Sequence, residues 1–152
     1  MSTSLSIFLT IHVIIGVLGV FLFGGVSLGL LKKKISVKML KYFSLGGLIS
    51  YLIAWVLGGH YYIVHYGSKV KPIIKAGDMT WAHSIVMEAK EHIFLFLPFL
   101  AFVSVVSIWT LGSSLDEMPK FKKAVMLVSL SAFIIGILIA LAGIVISGAA
   151  TI

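Results

Sequence analysis

The chain has 152 residues, of which 60% are hydrophobic and 11% charged, with a formal charge of +7. An ordinary soluble domain is about a quarter charged, so that class is excluded. With no cysteine, disulfides, thiolate metal sites, c-type haem attachment and thiol catalysis are excluded as well.

The positive charge comes from lysine alone, since the chain has no arginine. In so apolar a chain, that excess points to loop orientation and lipid headgroups rather than nucleic acid. Four apolar stretches are long enough to cross a hydrocarbon core, which needs about 20 helical residues. Their apolar cores run near 7–31, 40–59, 92–112 and 124–147. The first has no basic residue before it and exceeds the roughly 7–15 residues of a signal h-region, so it reads as a retained span.

The connection after the first span holds Lys32, Lys33, Lys34, Lys38 and Lys41, and the third connection holds Lys120, Lys122 and Lys123 beside Asp116 and Glu117. Short lysine-dense loops face the cytoplasm, which places both termini and the long middle segment outside. A prokaryotic cytoplasmic membrane is the expected location. Short loops make antiparallel neighbours, so the fold expected is an all-α, up-down-up-down bundle of four transmembrane helices forming a single domain over residues 1–152. Gly16, Gly19, Gly24, Gly25, Gly29, Gly46, Gly47, Gly136 and Gly143 would let the helices approach closely.

Helix two is expected to continue through Tyr61–His65 to a stop at Gly67, giving a helix over about 40–66. Helix three is expected over about 81–112, with Thr80 or Asp78 as its N-cap. Pro72 falls in the connection between them. Tyr61, Tyr62, Tyr66 and Trp81 would form an aromatic belt at the outer surface. Pro98 would kink helix three. Helix four carries no histidine or acid and reads as scaffold, with Ser129, Ser131 and Ser147 bonded back to their own helix.

All five histidines, His12, His60, His65, His83 and His92, fall in the half away from the lysine-rich connections. Counted outward from the lysine-rich end, His12, His60 and His92 lie at nearly one depth, about 28–30 Å. Glu88 shares a helix face with His92, one turn away. His65 and His83 stand nearer the surface.

Ionisable groups inside a membrane are costly and mark functional sites. The first chemistry this layer fits is b-type haem, one or two, held between imidazoles of facing helices. His12 and His92 form the first axial pair, because helices one and three are diagonal. His60, paired with His65 or His83, would serve a second site. Lys69, Lys71, Lys75, Tyr61 and Trp81 could meet haem propionates. The second chemistry is non-haem zinc, copper or iron at His12, His60, His92 and Glu88. The third is a proton relay of histidines and Glu88 in a transporter or sensor.

Gly58–Tyr62 matches no phosphate-binding loop, Met79 and Met87 read as packing, and no nucleophile–base pair points to hydrolysis. In architecture the pattern resembles small membrane cytochromes b. That resemblance implies electron transfer between a quinol or membrane partner and an external acceptor, within a larger membrane complex or a homo-oligomer.

Overall fold

The computed structural model describes residues 3–32 and 36–150; Lys33 and Lys34 of the first lysine cluster lie outside them. Every regular element among these residues is helical. Helix α1 (Thr3–Leu31) is followed by α2 (Val37–Tyr61), which opens without a break into a π-helical stretch, Tyr62–Val70, and then α3 (Lys71–Ala76). A turn leads to a second π-helical stretch, Ala82–Met87, then α4 (Glu88–Phe94) and α5 (Phe96–Leu111). A 3-10 turn, Gly112–Asp116, precedes α6 (Pro119–Ala149).

Four helical rods thus form, and all four are long and apolar enough to cross a membrane. Around the bundle, α1 packs on α2 and α6, and α5 packs on α2 and α6, which leaves α1 and α5 on a diagonal. This is the expected up-down-up-down arrangement.

The second rod departs from expectation in its length. It spans 40 residues, Val37–Ala76, and does not stop at Gly67. Gly67 keeps a negative φ, since Gly112 is the one described residue with a positive φ, so it makes no left-handed cap. Pro72 sits in the first turn of α3 rather than in a connection. It is tolerated there because the first turn of a helix is where a missing N–H costs least; just before it the Lys71 N–H bonds Tyr66 O, five residues back. The rod ends at Gly77, whose extended backbone (φ −93°, ψ −176°) lets its N–H cap the Ile73 and Ile74 carbonyls. At about 1.5 Å per residue, 40 residues reach roughly 60 Å, about twice the hydrocarbon core.

The third rod starts where expected, but through backbone bonds: Thr80 O accepts from the N–H groups of His83 and Ser84, and no side chain caps the start. Helical geometry breaks at Leu95, three residues before Pro98, as the missing proline N–H requires.

The centre is organised by a residue that hydrophobic patterning did not single out. Tyr51 is buried, its ring stacked on Phe23 with centroids 5.4 Å apart, and its hydroxyl donates to Ala132 O across the bundle at 3.1 Å. Two glycines make its slot. A Cβ on Gly19 would lie 2.7 Å from the Tyr51 ring, and one on Gly136 would lie 2.6 Å from its hydroxyl oxygen. Below it, Ser129 donates to its own Val125 O at 2.9 Å and lies 3.1 Å from Ser104 Oγ, so the back-bonded serine also joins α6 to α5. We expect Tyr51→Phe to lower stability in detergent by about 0.6–1.5 kcal/mol. Tyr51→Ala should cost about 3 kcal/mol or more, both measured by thermal unfolding.

Candidate functional site

The histidine-bearing end of the bundle is built by the two π stretches facing α6. Buried Tyr66, Ile74, Ala82, Ile146 and Ala149 form an apolar cluster there. A π turn places side chains out of step with an α-helix, and such turns recur at functional sites. Here they bring Tyr66 and His83 inward, 1–2% exposed. Tyr66 is therefore a core residue and not part of a surface aromatic belt; Trp81, 44% exposed, does keep a surface position.

The Tyr66 hydroxyl and His83 Nδ1 are hydrogen-bonded at 3.0 Å. The other ring nitrogen of His83, Nε2, is buried with no partner, and so is Oε1 of Glu91. Glu91 is a hub: its carboxylate acts electrostatically on Tyr62, Tyr66, His83 and Lys90. Tyr62 stacks on Tyr66 with centroids 5.3 Å apart. Lys71 and Lys75 lie within electrostatic reach of His83 from the far end of the second rod. Lys90 extends inward to α6, where a Cβ on Gly143 would stand 3.6 Å from its Nζ, and its charge is felt at His12.

The remaining candidates are distributed around this cluster. His12 is half-buried, its Nδ1 2.7 Å from Ala54 O, and its ring lies over Gly58, where an added Cβ would come within 2.6 Å of Cε1. His92 and Glu88 share a face as expected, but that face is exposed, and His92 Nδ1 lies 2.7 Å from the carbonyl of Glu88. His60 is exposed with its ring 5.5 Å from Phe8, and half-buried His65 rests 5.5 Å from Tyr61. Since His60 faces Phe8 rather than His12 on α1, it sits about one turn, roughly 6 Å, nearer the bundle end than His12. His12, His60, His92 and Glu88 are not drawn into one set: among the described residues, no three histidine or acidic side chains gather to hold a metal ion.

The histidines do gather toward one end of the bundle, but Glu88 and His92 are exposed, and Lys90 and Glu91 take the more covered positions on helix three. The signal available in sequence was the phase of the apolar positions: Phe94, Leu97 and Ala101 continue the inward stripe from Lys90 and Glu91. No family model, curated protein or solved structure matches the chain.

Each orphaned buried atom raises the cost of losing a partner that remains. Tyr66→Phe would leave both nitrogens of His83 unsatisfied. A loss of about 1–3 kcal/mol is expected in thermal unfolding, while Tyr62→Phe, at a half-buried position, should cost less.

Proposed function

We propose that this chain is a four-span integral membrane protein that moves protons through a buried relay of Tyr66, His83 and Glu91, as part of proton-coupled transport or sensing. Lysine asymmetry supports an orientation with the relay toward the outer side and the lysine-rich end in the cytoplasm. The observation that carries the reading is the pair of orphaned buried atoms, His83 Nε2 and Glu91 Oε1, in one cluster. A buried polar group without a partner costs free energy, and it persists where a task requires it.

The chemistry follows from imidazole having two nitrogens. When Tyr66 donates its proton to Nδ1, Nε2 carries N–H; when Nδ1–H donates to the Tyr66 oxygen, Nε2 presents a lone pair. A proton accepted at Nε2 can therefore be matched by transfer of the Nδ1 proton to the Tyr66 oxygen as Tyr66 releases its own hydroxyl proton toward Tyr62 or Glu91. A turn of the imidazole restores the tautomer for the next proton. Glu91 supplies a second acceptor, and Tyr62 lies beside both Tyr66 and Glu91. Lys90 offsets the negative charge of Glu91, while Lys71 and Lys75 act on His83 from the end of the second rod.

Reconstitution into vesicles loaded with a pH-sensitive dye tests this. An imposed pH step should relax faster with the protein than in empty vesicles, and His83→Asn or Glu91→Gln should slow it at least tenfold. Glu88→Gln, on the exposed face, should leave the rate unchanged. Equal rates for all three variants and the parent would contradict the relay.

A second reading, a b-type cytochrome exchanging electrons with a quinol or membrane partner, is favoured by a separate observation. A carbonyl only accepts, so the bonds of His12 to Ala54 O and of His92 to Glu88 O put the proton on Nδ1 and leave Nε2 with its lone pair. That tautomer, with Nδ1–H held by a carbonyl, is the one an axial ligand needs. Haem would supply one-electron transfer. His12 fits best, being half-buried over the flat surface of Gly58, whereas exposed His92 is not joined to it inside the bundle. Haem content of protein made with haem supplied decides the matter: His12→Ala should lose it and His65→Ala should keep it. Full retention in a His12/His92 double alanine variant would end the assignment.

A further inference from the structure

At the opposite, lysine-rich end, a groove of about 300 Å³ lies between the start of α2 and the end of α5, lined by Val37, Lys38, Lys41, Tyr42 and Trp109. Three features distinguish it from a featureless helix crossing. Lys38 and Lys41 are three residues apart, so both ammonium groups rise from one face of α2. The Lys41 Nζ stands 5.2 Å from the centre of the Trp109 ring, which holds it at the rim by a cation–π contact. Finally, α2 opens here, capped by Ser36 and with no acidic residue in its first turn, so the positive end of a 25-residue helix adds to the two lysines.

Neither acid at this end, Asp116 or Glu117, lines the groove. Asp116 pairs with Lys122 at 2.6 Å, and Lys122 also donates to Lys32 O. Tyr42 and Trp109, 64% and 46% exposed, are amphipathic rings of the kind that sit at headgroup level, and exposed Ile49 and Val106 continue the apolar wall away from the lysines. A cationic rim joined to an apolar wall matches a molecule with an anionic head and a hydrocarbon tail.

We infer that this groove binds an anionic phospholipid, its phosphate between Lys38 and Lys41 and its acyl chains along Tyr42, Trp109 and the helix faces beyond. The site is independent of the proton relay and of haem, since it lies at the other end of the bundle.

The test uses the full chain carrying Trp55→Phe and Trp81→Phe, so that Trp109 is the one fluorophore of its kind. In phosphatidylcholine vesicles, a minor fraction of brominated phosphatidylglycerol should quench Trp109 far more than the same fraction of brominated phosphatidylcholine. From the value of a lysine at an anionic surface, the preference should be roughly tenfold. Lys38→Gln with Lys41→Gln should bring it close to one, and Lys120→Gln with Lys123→Gln should leave it in place. Equal quenching by the two lipids overturns the site. So does an equal loss in the Lys120/Lys123 variant, which would mean a diffuse surface field. Inorganic phosphate that relieves quenching at millimolar concentration would assign the lysines to a free anion and also overturn it.

Discussion

The constraint that governs this molecule is how few polar partners its apolar helices offer one another. In a chain this apolar, each hydroxyl, imidazole and carboxylate in a helix interior must find a partner inside the protein. Most do. Ser27, Ser104 and Ser129 bond carbonyls of their own helices, and Tyr51 reaches across to Ala132. Where helices approach closely enough for such bonds, glycine makes the room, as Gly19 and Gly136 do for the Tyr51 ring. Against that background, among the described residues, His83 Nε2 and Glu91 Oε1 are the buried side-chain atoms left without partners, and the proposed relay rests on them.

The two ends of the bundle carry opposite designs. At one, lysines, a tryptophan and a tyrosine surround an open groove suited to an interface. At the other, π-helical backbone turns tyrosine and histidine inward against α6. Between them lies a stretch with local serine bonds and two bonds between helices, Tyr51 to Ala132 O and Ser129 to Ser104. The proposed relay lies at one end of the bundle, so the proton passage that the vesicle assay reads requires the helices beyond it to move.

Much of this was legible in the sequence, for identifiable reasons. Span number and antiparallel order follow from the long apolar runs and the short links between them, and lysine asymmetry from where the lysines stand along the chain. The histidine-bearing end was legible too, because a count along each helix depends only on its rise. Side-chain direction was not. The π stretches at 62–70 and 82–87 change the angular step per residue, so a phase counted at 100° misplaces Tyr66 and His83. Reading helix three from His92 put Glu88 inward, whereas the apolar stripe through Phe94 and Leu97 selects Lys90 and Glu91. Pro72 and Gly67 looked like a stop, but Gly67 keeps a negative φ and Pro72 takes a place in the first turn of α3, where proline is tolerated.

The most direct test of the central claim is an infrared difference spectrum of the protein in lipid, recorded while a proton gradient is imposed, following the carbonyl stretch of a protonated carboxylic acid. The account predicts a band that appears while protons flow, disappears in Glu91→Gln and is weakened in His83→Asn. A spectrum with no such band, or one that Glu91→Gln leaves untouched, would contradict it.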